Sequence, residues 1–322
     1  MAACSPLAFD CVIPAHAKDM DTLRATVASL RRCFPELGRI VVIASAQCAA
    51  AAEAVGAEHI DEAAELWPFT PADCQDCGCP AGWLFQQLLK LYAPLLIPGL
   101  AANVLACDAD VIWLEHAGRG RINFFERDSN EGADNGEVIA NFCTFDSESC
   151  PPIRSSVDLH RYDAFVPEVL PGLQKPRPSK ESAVCHHAPL QKSVLEALLA
   201  EVEERHGQEF WEAFRNAARS CGGRASEYEL YHSFVRHRFP NLAKTRAMPF
   251  AVVADWEGAL LAPPAPELAF FVAHSHLRHL PAEELLDKEG VVNGNTSMEV
   301  ARRLTQRHDP ELSAILIRSG MF

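Results

Sequence analysis

The chain has 322 residues, 48% of them hydrophobic and 22% charged, with 22 prolines and 17 glycines. That composition excludes disorder, collagen-like repeats and coiled coil, and it suffices for a large buried core. Lys plus Arg number 29 against 43 Asp plus Glu, a formal charge of −14, which speaks against sequence-independent binding of nucleic acid.

The first third alternates strand and helix. Residues 9–13 (FDCVI) form a short apolar run closed by Pro14. Leu23, Val27, Leu30 and Phe34 then recur at helical spacing. Residues 39–44 (RIVVIA) read as a buried parallel strand. An alanine-rich helix over 47–55 and a short strand over 58–60 complete a β-α-β-α-β order, which predicts a doubly wound sheet. Residues 66–81 break the rhythm with Pro68, Pro71, Gly78 and Pro80, and predict a loop. This loop carries Cys74, Cys77 and Cys79. A structural zinc site takes four ligands, so a fourth must come from Cys48, His59 or elsewhere; a local disulfide and free thiols are the other readings. Residues 82–96 resume a strong helix, and residues 103–114 (NVLACDADVIWL) read as strand, acidic turn and strand.

Further along, 137–142 suits a strand, and prolines punctuate 150–180. Residues 183–185 suit a strand, with a helix opening near Pro189 and running through 190–206. A second helix covers 209–219. A third starts at Ser226, where Ser226 and Glu229 fit a capping box. Residues 270–274 suit a late strand and 297–308 a helix. The longest apolar stretch, 91–107, is interrupted by Pro94, Pro98, Gly99 and Asn103, so no integral membrane segment is expected. The first residues have no basic stretch, and Asp10 interrupts their apolar run. A signal peptide is therefore not expected, and the expected setting is the cytoplasm, with most of the twelve cysteines reduced.

Asp108-Ala109-Asp110 is the most informative triplet. In an open α/β sheet, ligands bind outside the carboxyl ends of strands. Two carboxylates separated by one residue can share one divalent cation; hard oxygen ligands suit Mn2+ or Mg2+ and leave positions for a nucleoside diphosphate. The same triplet also serves as a carboxylate-capped turn at a strand end. Its place between two apolar runs favours function, because an uncompensated pair of buried carboxylates is costly. His274 and His276 alternate on a late extended segment, and His274 is the candidate third ligand. A His-rich surface loop is the alternative.

Seven segments then carry a resemblance: FDCVIPAHAKD from residue 9, GWLFQQLLKLYAPLLIPGL from 82, NVLACDADVIWL from 103, CHHAPLQ over 185–191, EFWEAF over 209–214, ASEYELY over 225–231 and FVAHSHLR over 271–278. In this order they resemble nucleotide-sugar-dependent glycosyltransferases of the GT-A fold, and more narrowly a family found in bacteria and large DNA viruses of algae. Residues 143–182 carry little of the resemblance. It implies a single α/β unit with a mixed, mainly parallel central sheet flanked by helices and a helical C-terminal part. Residues 1–125 would bind the nucleotide sugar; residues 126–322 would bind the acceptor and supply a late metal ligand.

The resemblance also implies roles. Pro14, Ala15, Lys18 and Asp19 would cradle base and ribose, with Asp61 as a partner for the base. Gln87 and Lys90 would turn towards the donor, Lys90 meeting the diphosphate or the sugar. Asp108 would touch ribose and metal, with Ala109 beside it in the donor site. Asp110 would bind the metal, and His274 would complete its shell. The implied cofactor is Mn2+ or Mg2+, the donor a UDP-sugar, and the acceptor a glycan or other hydroxyl compound.

Inversion at the sugar needs a general base, usually a carboxylate. Glu227, just after Ser226, is the candidate and joins Asp108 as a catalytic residue; favourable charge at a helix N-terminus is its other reading. His186 and His187 are candidates for acceptor or sugar binding, or for capping the next helix. Trp83 and Trp211 suit either a sugar ring or the core. Two other functions fit the pattern less well. A sugar-1-phosphate nucleotidyltransferase carries a glycine-rich loop after its first strand, and residues 14–18 hold no glycine. A non-catalytic nucleotide- or sugar-binding module has no need of the acidic pair and His274.

Overall fold

The computed structural model describes residues 7–114, 122–127, 137–146, 161–176, 181–248, 250–253 and 268–275. The strands, in chain order, are β1 (Phe9–Pro14), β2 (Leu37–Ala44), β3 (Glu58–Asp61), β4 (Asn103–Cys107), β5 (Val111–Trp113), β6 (Phe125–Arg127), β7 (Val138–Asp146), β8 (Glu181–Ser182), β9 (His187–Gln191), β10 (Ala243–Ala247), β11 (Phe250–Val252) and β12 (Phe270–Val272). The helices are α1 (Met20–Cys33), α2 (Ala49–Ala54), α3 (Ala81–Leu96), α4 (Phe165–Val169), α5 (Lys192–His206), α6 (Phe210–Ser220) and α7 (Glu227–Arg238).

The central sheet runs β3-β2-β1-β4-β9, parallel except for the last pair. This is the mainly parallel α/β class that the alternating pattern predicts. Every residue of β1 is buried, as a central parallel strand demands. A four-strand group (β10-β7-β6, with β8 on β7) and a three-strand group (β11-β12-β5) complete the described sheets. The chain builds β2 and β3 to one side of β1 and then crosses to place β4 on the other. The switch of direction therefore falls between β1 and β4, and their carboxyl ends, Pro14 and Cys107, open on the place where such sheets bind ligands.

Two expectations shift. Residues 187–191 form β9 rather than the start of a helix, and α5 begins at Lys192. Pro189 is tolerated because β9 is an edge strand, where a missing N–H breaks no ladder. Residues 183–185 are not a strand; the short β8 precedes them. The helix expected over 297–308 and His276 lie outside the described residues. Among the described residues no helix is long and apolar enough to cross a membrane.

Asp10 explains itself at the amino end of the sheet. Its Oδ1 accepts from the Arg39 backbone N–H and its Oδ2 from that of Ala101, both at 2.7 Å. One carboxylate thus ties β1 to β2 and to the loop entering β4. Gly38 permits the approach, since a Cβ there would lie 2.5 Å from Asp10 Oδ1.

The core beneath the switch point is aromatic. Phe9, Phe34, Trp113 and Phe124 meet edge to face or tilted at 4.9–6.1 Å between centroids. His187 belongs to this cluster, 4.8 Å from Trp113 and 5.3 Å from Phe270. Its Nδ1 lies 2.7 Å from the Cys185 carbonyl, which takes the ring proton. Burial pushes the imidazole of His187 down to about 3, and does the same to His232 beneath Phe142.

Asp10→Ala is expected to lower unfolding free energy by roughly 2–4 kcal/mol, since two charge-assisted bonds go; chemical denaturation checks this, and a loss under about 0.5 kcal/mol would contradict it. The two histidines set an acid dependence. Their native values lie below the unfolded 6.5, so below that pH the unfolded chain takes up protons that the native state refuses. Stability is intact above about pH 6.5 and falls by roughly 1.4 kcal/mol per pH unit for each histidine as pH drops towards 3. Denaturation curves of the parent and His232→Gln between these limits read the difference in slope, and equal slopes would count against it.

Candidate active site

The Asp108-Ala109-Asp110 turn leaves β4 and is pinned through its backbone. The Asp108 N–H donates to the His186 carbonyl at 2.9 Å, and the Ala273 N–H donates to the Asp110 carbonyl at 3.0 Å. Thr22 and Thr26 of α1 both donate their hydroxyls to the Ala109 carbonyl, at 3.1 and 2.9 Å. Four hydrogen bonds from three separate stretches of chain thus fix one tripeptide, which preorganises its side chains.

Helices α3 and α7 bring the opposing groups. Lys90 is only 3% exposed. Its Nζ donates to Asp108 Oδ1 and to Glu227 Oε1, the latter at 2.7 Å. The Tyr228 hydroxyl also donates to Asp108 Oδ1 at 3.0 Å, and its ring lies 4.4 Å from the ammonium. His186 Nδ1 sits 3.1 Å from Asp108 Oδ2. Gln87, one turn before Lys90, accepts the Glu227 N–H at 3.1 Å through Oε1, while its Nε2 is buried without a partner. Ser226 caps α7 by accepting the Glu229 N–H at 3.2 Å, but the other half of the expected capping box does not form: the buried Glu229 carboxylate instead accepts the Ser182 hydroxyl at 2.6 Å and lies 3.3 Å from Lys175 Nζ.

The charges follow from this packing. Burial pushes Asp108 up, but Lys90 and His186 outweigh it and hold the carboxyl well below the usual carboxylate range. Burial pushes Lys90 down, and the two carboxylates more than reverse that. For Glu227 burial wins over Lys90, so this carboxyl sits above its ordinary value.

Asp110 lies apart from that knot. Its Oδ2 is 3.3 Å from His274 Nδ1, and its Oδ1 is buried with no hydrogen-bond partner. The rings of His274 and His186 lie 5.0 Å apart. A carboxylate oxygen beside an imidazole is a donor set that fits Mn2+ or Mg2+ when phosphate oxygens complete the shell. Among the described residues no three His, Cys, Asp or Glu groups converge to hold an ion alone.

These side chains line a cavity of about 300 Å3, shared by Lys18, Asp19, Gln87, Lys90, Asp108, Ala109, Asp110, His186, Glu227 and His274. Beside it, a groove of about 1050 Å3 runs over the carboxyl ends of β1 and β2 past Pro14, Ala15, Lys18, Asp19 and Glu62. Lys18, Asp19, Trp83 and Gln86 line both.

Most of the expected residues therefore meet at one place. Two do not. His187 lies in the aromatic core and lines neither cavity. Asp61 turns Oδ1 to the Ala63 N–H at 2.9 Å, and its neighbour Glu62 lines the groove instead. Trp83 faces the cavities, whereas Trp211 packs near Phe69. Sequence reasoning passed over Tyr228, although it lies beside Glu227 in the ASEYELY segment.

No protein-family model matches the chain, and no curated protein matches it. Solved structures do. Mouse xyloside xylosyltransferase 1, in its apo form, aligns with 12% identity and a TM-score of 0.46 over 85% of this chain and 100% of that one. The galactosyltransferase LgtC, in complex with donor and acceptor sugar analogues, aligns with 12% identity and a TM-score of 0.41 over 95% and 99%. Core-mannan synthase A from Aspergillus fumigatus, in a Mn/GDP form, aligns with 8% identity and a TM-score of 0.40 over 76% and 74%. Likenesses of this size leave function to be argued from the site itself.

Lys90→Met strands two carboxylates together in the interior. Unfolding free energy is expected to fall by roughly 3–5 kcal/mol. Chemical denaturation at neutral pH checks this, and a loss below about 1 kcal/mol would mean that the cluster does not depend on the ammonium.

Proposed function

We propose that the chain is a metal-dependent glycosyltransferase of the GT-A type, which moves a sugar from a nucleoside diphosphate sugar, a UDP-sugar in our reading, to a hydroxyl of a glycan or similar acceptor. One observation carries the proposal. A groove large enough for a nucleotide meets an acidic pair at the topological switch point between β1 and β4. In this reading, residues 1–125 serve the donor and residues 126–322 the acceptor.

The nucleoside lies over Pro14 and Ala15, with Lys18, Asp19 and Glu62 at its edge. Asp110 and His274 are the residues that would hold Mn2+ or Mg2+; when bound, such an ion neutralises charge on the departing diphosphate. Asp108 has both oxygens engaged, so we assign it to holding Lys90, Tyr228 and His186 in place around the donor. Lys90 presents its charge at the cavity wall, where it faces the sugar or the leaving group.

Glu227 is proposed as the base that takes the acceptor proton, with inversion at the anomeric carbon. It lines the cavity and starts α7, and its raised proton affinity suits a base. His186, on the same wall, is proposed to contact a sugar hydroxyl. The −14 charge of the whole chain accords with a phosphate ligand held by a few local cations and a metal rather than by a broad basic surface.

Incubation with manganese and a panel of nucleotide sugars, without acceptor, is expected to release nucleoside diphosphate slowly from one donor. EDTA and Asp110→Asn should each abolish release. Monophosphate or pyrophosphate as product would indicate a nucleotidyltransferase, and binding with no turnover in the presence of acceptors would indicate a binding module. Once an acceptor is known, Glu227→Gln is expected to lower transfer by about 100-fold or more with nucleotide binding retained. NMR of the first-formed product would then show the inverted anomer, and retained configuration would remove the base assignment.

A further inference from the structure

The cysteines of residues 74–79 take no part in the proposed reaction, yet this loop leads directly into α3 and packs on the segment that leads into α7. Cys77 and Cys79 bring their Sγ atoms to 3.2 Å, and both are free thiols. Cys77 is buried and donates to the Cys74 carbonyl at 3.1 Å. Cys79 is partly exposed and lines the large groove.

The loop is held firmly to its surroundings. Arg219 Nε donates to the Asp76 carbonyl at 2.9 Å, and Arg215 reaches the Asp73 carbonyl at 3.4 Å. Gly78, with φ at +85°, packs on Gly223, with φ at +81°. A Cβ on Gly223 would lie 2.1 Å from the Gly78 carbonyl oxygen, so the backbones are in direct contact. Gly223 lies four residues before Glu227, and Cys79 two residues before α3, which carries Gln87 and Lys90. A change at this loop therefore reaches both helix starts.

We propose that Cys77 and Cys79 form a redox-active dithiol in the groove wall, oxidised by a low-molecular-weight disulfide and displacing the starts of α3 and α7. An incoming R–S–S–R reaches Cys79 through the groove. The Cys79 sulfur, as thiolate, attacks one sulfur of the reagent, and the first R–S− leaves and takes the thiol proton as R–SH. The Cys77 sulfur then attacks Cys79 Sγ and expels the second R–SH, which carries the second proton. Two thiols are oxidised and one disulfide is reduced. A protein disulfide needs about 2.05 Å between sulfurs, so the pair must close by roughly 1.1 Å, and the short Cys-Gly-Cys segment must move to allow it. Burial, with the Cys77 hydrogen bond, pushes the Cys79 thiol up to about 12. Exchange is accordingly slow, and a mildly alkaline buffer speeds it.

The test needs no knowledge of the donor. The full chain is incubated with oxidised glutathione, then analysed by intact mass, peptide mapping and hydrogen exchange. The expected result is a Cys77–Cys79 link with loss of two hydrogens, reversed by dithiothreitol and absent in Cys79→Ser. Peptides covering 80–88 and 222–229 should lose protection in the oxidised form and regain it on reduction. Glutathione adducts on Cys33 or Cys221 with no link at 77–79, or a link made from Cys74, would overturn the proposal. A correct link with unchanged exchange in both stretches would overturn the coupling. Failure of the donor assay would leave these readouts untouched.

Discussion

A buried ammonium between two carboxylates holds this site together. Lys90 comes from α3, Asp108 from the turn after β4, and Glu227 from the start of α7. None of these charges is tolerable in the interior alone, because each would lose its hydration with nothing in return. Together they leave one net negative charge in a small polar knot, to which Tyr228 and His186 add hydrogen bonds. The consequence reaches beyond local stability. The two halves of the chain must meet there, since α7 starts at Glu227 and the other two groups, Lys90 and Asp108, lie far earlier in the sequence. Asp110 escapes the knot with one buried oxygen unpartnered, and in the proposed function this oxygen would receive the cation.

The sheet supplies the rigid base for that knot. Strands β1 and β4 end side by side because the chain reverses its winding between them. At the amino end, Asp10 fastens three segments with one carboxylate. At the carboxyl end, the acidic turn is fastened by α1, by the residue before β9 and by the residue after β12. Both ends of the same pair of strands are thus cross-tied, which places the cavity-lining side chains of the turn on a rigid frame.

Much of this was legible in the sequence, for physical reasons that differ by element. β1 and β2 are continuous apolar runs, a pattern that a strand buried on both faces imposes, and the acidic triplet between two such runs marks itself. Ser226 announces the start of α7 through its capping pattern, and the structure forms the serine's half of it, while the Glu229 carboxylate turns inward to Ser182 and Lys175. Lys90 was harder to read. On an apolar helix, Gln87 and Lys90 look like a polar face towards ligand, and nothing local reveals that Glu227, 137 residues away, is the lysine's second partner. His187 misled because adjacent histidines suggest a shared site, whereas His186 stands just before β9 with φ at +61° and lines the cavity, and His187 opens the strand with its ring in the aromatic core. Residues 187–191 misled because Pro189 beside a long helical pattern suggests a helix N-terminus, and only the position at the sheet edge explains its place in a strand.

The central claim is that Asp110 and His274 create, with a nucleoside diphosphate, a metal site at the switch point. Calorimetric titration with uridine diphosphate, in manganese and again in EDTA, tests it most directly. The account predicts one site that binds with manganese, binds far more weakly in EDTA, and loses its metal dependence in Asp110→Asn. Binding that is equally strong with and without the metal, or that Asp110→Asn leaves unaltered, would contradict it.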